Sequence, residues 1–396
     1  MTWVDAVVVA LLLGAAWSGL RRGFISSTVS LVGAVGGAVV AIRLAPLAMD
    51  RVDDAAAKVA VGIACVILGV GVGEWAGTVV GRALADRITW RPAQALDRGL
   101  GLVGHTVAVT VVVWLVAVPL ASITQFPWLA SSVRSSAVLQ RIDAVMPDGA
   151  TAISDRMRAL FDQSGFPAIL DPLAPTPDTA VAAPDPADAA TAGVRAAGRS
   201  VLKVRGQAPS CQRGIEGSGF VIGPERLMTN AHVVAGTTTV GVEQGGRLLP
   251  ATVVVYDPER DVAVLDVPGL RGDGLRWDTA LADTGIPAVA AGYPLDGPYT
   301  VSPGRVQSEL TLRGPDIYQA STVSRQVYTL RIKIRSGNSG GPLLGTDGRV
   351  LGVVFGASID KPDVGFALTA TEVAPVLAEG LAAPDTAVGT GACAVE

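Results

Sequence analysis

Three short stretches of this sequence combine residue types that do chemistry together. Thr229-Asn230-Ala231-His232-Val233-Val234 places a histidine just after a small residue at a strand end. Asp261-Val262-Ala263-Val264-Leu265 opens an alternating strand with an acid, and Gly337-Asn338-Ser339-Gly340-Gly341-Pro342 sets a serine among glycines. A serine hydroxyl is a weak nucleophile until a neighbouring base takes its proton. Histidine suits that task because its pKa lies near neutrality. A carboxylate on the far ring nitrogen secures the tautomer. Ser339 is therefore the expected nucleophile, His232 the base and Asp261 the group that orients it. Asp257, Asp266 and Asp278 are nearby rivals; the position of Asp261 before Val-Ala-Val-Leu favours it. The glycines let the backbone turn sharply and approach a substrate. The N–H groups of Gly337 and Ser339 can then converge on the oxyanion of a tetrahedral intermediate, where loss of one donor costs about 3–4 kcal/mol.

The elements that must position these residues read as short β-type runs broken by Gly, Pro and Asp. They fall at 200–204, 219–222, 238–242, 251–256, 262–267, 327–334 and 350–355, with a last strand near 364–368. Strands this short at this spacing indicate an all-β sandwich or barrel. The one long amphipathic helix expected after residue 198 covers 371–381.

The N-terminal part is different in kind. The chain has 396 residues, 49% of them hydrophobic and only 17% charged, too apolar for an ordinary soluble enzyme. Four apolar runs, roughly 4–20, 24–43, 58–80 and 102–122, each have the length of a membrane span. Loops carrying Arg21, Arg22, Arg82, Arg87, Arg91 and Arg98 outweigh the loop with Arg43, Arg51 and Lys58, which puts the first and third loops in the cytoplasm and both termini outside. Glycines at four-residue spacing (Gly33, Gly37; Gly69, Gly73, Gly77, Gly81) form ridges for close helix packing. Glu74 and His105 lie within spans, either as a proton path or as groups paired for packing.

The expected domains are a four-span membrane domain over 1–122, a juxtamembrane segment and linker over 123–198, and a catalytic domain over 199–396. Residues 167–193, rich in Ala, Pro, Asp and Thr, read as a semi-extended spacer and as the place most open to proteolysis. Cys211 and Cys393 share the catalytic domain, and an extracytoplasmic location supports a disulfide between them. Net charge is −4 and aromatics make up 5%, so neither a basic stripe nor a base-stacking surface exists and no nucleic-acid partner is expected.

The three motifs, in this order and spacing, resemble the trypsin-like serine proteases, nearest to the bacterial HtrA (Deg)-type branch, over about 190 residues from 199 onward. The resemblance implies a chymotrypsin-like fold of two perpendicular six-stranded β-barrels, with His232 and Asp261 from the first and Ser339 from the second. It also implies that the loop before the serine and the segment near 354–357 line the pocket for the residue before the cut bond. The tentative pocket residues are Lys333, Val354, Phe355 and Gly356, and Lys333 disfavours Arg or Lys there. The apolar pattern, the glycines and the stretch Gly19-Leu20-Arg21-Arg22-Gly23-Phe24 resemble the colicin V production proteins. Together the halves are similar to actinobacterial membrane-anchored periplasmic serine proteases linked to acid tolerance, the MarP type.

Two departures stand out. Asn338 replaces the acid that pairs with a new N-terminus in digestive trypsin-like enzymes, so activation by N-terminal insertion is not expected. The residues after the last strand are too few for the PDZ domain usual in HtrA-type enzymes. The expected activity is cleavage of cell-envelope proteins, and of the chain itself within its linker, by an enzyme held in the lipid bilayer. No metal or cofactor is called for. The competing readings are a transport or proton-handling protein with a scaffolding β domain, and a pseudoprotease that binds envelope partners. Because an ordinary imidazole titrates near pH ~6.5, activity is expected to fall as the medium acidifies through that range.

Overall fold

A computed structural model describes residues 2–49, 55–87, 90–121, 127–146, 169–170 and 173–394. It falls into two compact units, residues 1–117 with 136–145, and residues 118–135 with 146–396.

The first unit is helical. Helix α1 (Trp3–Met49) is broken at Gly23, whose φ of 77° and ψ of 170° no helix contains. The apolar runs 4–20 and 24–43 are thus the two arms of one interrupted helix. Helices α2 (Ala55–Ala85) and α3 (Arg91–Ala121) carry the other two runs, residue 122 lying outside the described residues. The expected four separate helices are therefore three long ones among the described residues, because left-handed backbone at Gly23 redirects the chain without a loop. Trp3–Ala41 and Arg91–Val118 are long and apolar enough to cross a membrane. The glycine ridges meet as expected of close helix packing: a Cβ on Gly33 or Gly37 would collide with the carbonyl of Gly73 or Gly69. Asp97 Oδ1 accepts the Ile25 N–H at 3.0 Å and so caps the arm that restarts after the break. Glu74 is ion-paired with Arg22 at 3.3 Å. Two short helices follow, α4 (Pro127–Arg134) and α5 (Ala137–Asp143).

The second unit contains two closed six-stranded barrels. The first is built from β1 (Val201–Ala208), β2 (Arg213–Gly223), β3 (Arg226–Thr229), β4 (Thr239–Gln244), β5 (Arg247–Asp257) and β6 (Val262–Asp266), in the order β1-β2-β3-β6-β5-β4. The second uses β7 (Pro287–Gly292), β8 (Thr300–Pro315), β9 (Thr322–Ile332), β10 (Pro342–Leu344), β11 (Val350–Ala357) and β12 (Val364–Thr369), in the order β10-β11-β12-β9-β8-β7. Closure leaves no unpaired edge. β-Branched and aromatic side chains such as Val204, Phe220, Val264, Val327, Phe355 and Phe366 fill the interiors. The short helix α6 (Ala192–Ala197) precedes β1 in the chain. Helix α7 (Ala370–Ala382) closes the fold, capped at its start where the Thr369 hydroxyl accepts the Glu372 N–H.

Residues 173–198 do not behave as a free spacer. Leu173 is buried, and the segment is hydrogen-bonded along the second barrel through Thr176, Asp178, Thr179, Val181 and Ala183. Composition alone concealed this, because few apolar residues, such as Leu173 and Val194, are buried and most anchors are single hydrogen bonds to strand side chains. The upstream linker residues 147–168 lie outside the described residues.

Cys211 and Cys393 form a disulfide with Cα atoms 6.5 Å apart, closing a loop with a sequence separation of 182. The tail is also held by Gly236 N–H to Thr390 O at 3.0 Å and Val388 N–H to Val253 O at 2.9 Å. A loop this long restricts the unfolded chain strongly. Cys211→Ser is expected to lower the thermal midpoint of the catalytic domain by about 10 °C. Turnover per folded molecule, measured well below that midpoint, should remain within about twofold if the bond acts on stability alone. A large loss of turnover in a fully folded variant would instead make the disulfide a switch on activity.

Candidate active site

His232 follows β3, in the turn that joins it to β4 within the first barrel, and Asp261 sits immediately before β6. Strands β3 and β6 are neighbours, with Thr229 opposite Ala263, so the residues just beyond their adjoining ends are brought together. Asp261 adopts φ 61°, a left-handed conformation that Asp tolerates better than most residues. This turns its carboxylate onto the histidine. Oδ2 lies 2.7 Å from His232 Nδ1, and Oδ1 accepts the His232 backbone N–H at 2.9 Å. Asn230 Nδ2 donates to the Asp261 carbonyl at 2.6 Å. Both side chains are almost fully buried. Asp257 and Asp266, the sequence rivals, are ion-paired with Arg260 and Arg226. Asp278 caps Ala280 N–H at 3.1 Å.

Ser339 arrives from the second barrel, in the turn before β10. With His232, Ser336, Gly337 and the β2 segment Arg213–Glu216 it lines a cleft of about 190 Å³. Gly340 has φ 79°, and a Cβ there would collide with the Ser218 carbonyl and the Thr229 hydroxyl, so only glycine fits beside the serine. Its N–H donates to Val354 O at 2.9 Å, and Val354 N–H donates to Gly341 O at 2.9 Å. Gly337 has φ 90°. Neither the Gly337 nor the Ser339 amide meets an acceptor among the described residues.

Sequence reasoning missed the residue that ties the two barrels together here. Ser218, on β2, donates its N–H to Ser339 O at 2.8 Å and its hydroxyl to Gly337 O at 2.6 Å. The same hydroxyl accepts the Tyr293 N–H at 2.9 Å. The Gly217-Ser218-Gly219-Phe220 pattern, small residues leading into a buried strand, was the available signal. A second omission is Arg325 on β9. It is buried, donates to Glu259 O at 2.6 Å two residues before Asp261, and lies 6.0 Å from the Phe355 ring. Burial lowers the pKa of its guanidinium.

The tentative pocket residues divide. Lys333 is exposed and absent from the cleft lining. Val354 is buried in the barrel core, and its backbone holds the serine turn. Phe355 is the bulged residue where the β11–β12 register shifts between Val354 and Gly356, and it packs against Phe366. The bulge, invisible in a short apolar run, is what rotates these side chains inward. The cleft beside Ser339 is bordered instead by Ser336 and by Glu216. Burial first, and then the nearby Asp296 carboxylate, push Glu216 above the usual carboxylate range. A hydrogen bond from Lys203 holds Asp296 below it.

Comparison with known proteins shows the families to which the two halves are similar. Residues 217–353 match the trypsin-like peptidase domain family, and residues 4–147 match the colicin V production protein family. The serine protease Rv3671c of Mycobacterium tuberculosis (strain ATCC 25618 / H37Rv) is 44% identical over 393 residues, 99% of this chain and 98% of that protein. The serine protease Do-like HtrA of Lactococcus lactis subsp. cremoris is 29% identical over 178 residues, 41% of this chain and 44% of that one. The crystal structure of the active form of the M. tuberculosis Rv3671c protease has a TM-score of 0.54 at 50% identity, covering 58% of this chain and 100% of that one. The chain is thus a serine endopeptidase of the MarP type, joining a colicin V production-type half to a trypsin-like peptidase domain.

Proposed function

We propose that the chain is a membrane-anchored, extracytoplasmic endopeptidase that cuts proteins of the cell envelope through Ser339, His232 and Asp261. The observation that carries this reading is the buried 2.7 Å contact from Asp261 Oδ2 to His232 Nδ1, with His232 and Ser339 facing one cleft. In the first step His232 Nε2 takes the Ser339 hydroxyl proton as Oγ attacks the substrate carbonyl carbon. The negative charge that develops on the carbonyl oxygen is met by the Gly337 and Ser339 N–H groups. The imidazolium, stabilised by Asp261, gives its proton to the leaving amine, and an acyl-enzyme remains. A water molecule, deprotonated by His232, then hydrolyses that ester. Asp261 also accepts the His232 backbone N–H, so the ring and its supporting turn are fixed by one carboxylate.

The topology belongs to the same reading. The two arms of α1, together with α2 and α3, would give four membrane crossings with the basic loops in the cytoplasm. Both termini and the Cys211–Cys393 pair then lie on the oxidising side. The ion pair between Glu74 and Arg22 fits helix packing better than an open proton path. The test is labelling of the full chain in membranes with a fluorophosphonate. One label on Ser339, lost in Ser339→Ala together with cleavage of envelope proteins, is the expected result. A wild-type chain that takes no label while its fold is intact would point to a pseudoprotease instead.

A further inference from the structure

The segment before the first barrel makes two kinds of contact with the second barrel, bridged by Asp178, whose Oδ1 accepts from Gln307 Nε2 at 2.5 Å. Its backbone is held by strand side chains: Gln307 Nε2 donates to Thr179 O at 3.0 Å, Arg331 Nη1 to Val181 O at 2.8 Å and Arg305 Nε to Ala183 O at 3.1 Å. Its own side chains instead reach the loop 358–363 between β11 and β12. The Thr176 hydroxyl donates to Asp360 Oδ1 and lies 2.9 Å from Ser358 Oγ. Asp178 Oδ2 accepts from Lys361 Nζ at 2.7 Å. Thr176 and Asp360 are both buried, so the hydroxyl is one of two donors to a carboxylate cut off from water, the other being Ser358 Oγ at 2.7 Å.

That loop continues β11, which carries the bulge at Phe355 and whose Val354 bonds Gly340 and Gly341 beside the nucleophile. A shift of residues 358–361 therefore bears on Gly356 and Ala357, which pair with Phe366 and Gly365 of β12, lie beyond the part of β11 paired with β10, and are the stretch that the catalytic reading offers to an extended substrate on the acyl side. At the other end, Ala174 O accepts from Arg134 Nη1 at 3.2 Å, and Arg134 Nε donates to the carbonyl of Ala121, the last residue of α3.

We propose that residues 173–183 form a specificity strap, in which Thr176 and Asp178 are positioning residues that fix the loop 358–361 and so set the affinity for the acyl-side residues of peptide substrates. This rests on the catalytic reading above. Residues 173–183 of the linker are then a working part of the binding site. The Lys361 hydrogen bond holds the Asp178 carboxyl below its usual range. The sign follows: the contact is fully present above the ordinary aspartate value and is lost only as pH falls through the lowered one.

The experiment uses the full chain in detergent or nanodiscs. It measures kcat and KM on peptides varied on the acyl side, the fluorophosphonate labelling rate of Ser339, and the thermal midpoint. Thr176→Val is expected to raise KM about fivefold, with kcat and labelling within about twofold of wild type, and Thr176→Ser to restore KM. Asp178→Lys should raise KM about threefold, and adding Lys361→Asp should recover it. The second pair lies at the surface and remains informative if Thr176→Val folds poorly. Unchanged KM in both Thr176→Val and Asp178→Lys overturns the strap, as does a fall of kcat and labelling in step with the thermal midpoint. Failure of the wild type to label at Ser339 overturns the catalytic reading beneath it, a separate outcome.

Discussion

Asp261→Asn is expected to cut kcat by about 10⁴-fold while the protein stays folded. The reason lies in counting acceptors. His232 presents two donors to this side chain, its backbone N–H at 2.9 Å and its ring Nδ1–H at 2.7 Å, and the carboxylate gives each its own oxygen. An asparagine amide has one acceptor oxygen and one NH₂ group. If its oxygen serves the backbone N–H, its NH₂ faces Nδ1, which must then be the acceptor. The ring proton moves to Nε2, and the nitrogen that should take the Ser339 proton already carries one. If the amide is turned the other way, a buried backbone N–H loses its partner and the turn after Ala231 loosens. Either arrangement removes the base. Labelling of Ser339 by a fluorophosphonate should fall with kcat, whereas KM should change little, since substrate does not touch the carboxylate. Asp266→Asn provides the contrast: its partner is Arg226, outside the cleft, and kcat should stay within about threefold. Retention of more than a tenth of wild-type kcat in Asp261→Asn would remove Asp261 from the mechanism.

The sequence shows this much of the site because each member is a local pattern. A histidine after small residues, an acid opening a strand and a serine among glycines are readable without knowing where the strands go. Most strands were legible for the same reason, as alternating apolar runs. β3, β7, β8 and β10 were not. β3 and β10 have only four and three residues. β7 is rich in Ala and Gly, and β8 is interrupted by Pro303 and Gly304 in a mostly half-buried pattern. Nothing local distinguishes such stretches from loops, and pairing with neighbours settles them. The surroundings of Phe355 were not legible for a related reason. Which face of β11 looks at substrate depends on a one-residue register shift at Phe355, and a shift of one residue exchanges inside for outside. The strap at 173–183 escaped because its anchors are single side chains from strands more than a hundred residues away. In the helical half, the run boundaries near 20–24 were correct, yet the hinge is one glycine rather than a loop.

The second large effect is expected at Ser218, where kcat should fall about 100-fold on replacement by alanine. The oxyanion donors work only if the two peptide planes around Gly337 are held, and glycine offers no side chain to hold them. The plane before Gly337 is fixed by Leu295 N–H, which donates to Ser336 O at 2.8 Å. The plane after it is held by the Ser218 hydroxyl, which donates to Gly337 O at 2.6 Å, and by the Asn338 N–H, which donates to Arg335 O at 3.0 Å. Leu295 and Asp296 both take left-handed φ values of 55°, unusual for residues other than glycine, so the loop that supplies the first bond is itself held under strain. Lys203 and Arg205 restrain it through Asp296. The Ser218 hydroxyl also accepts the Tyr293 N–H, at the start of that same loop. Removing one oxygen atom thus leaves the second plane on the Asn338 bond alone and leaves the loop beneath the first with an unpaired amide. At φ 90° Gly337 meets no side-chain barrier to rotation, and once the loop that holds Ser336 O is loosened, rotation of the Ser336–Gly337 peptide would turn the Ser336 carbonyl toward the developing oxyanion instead of the Gly337 N–H. The signature separates this from a loss of fold. A boronic acid that forms a tetrahedral adduct with Ser339 should lose affinity in proportion to kcat, while KM for peptides and the backbone bond from Ser218 N–H to Ser339 O are retained. Should the boronate bind Ser218→Ala as tightly as wild type, the oxyanion site does not depend on this bracket, and Ser218 serves only to join the two barrels.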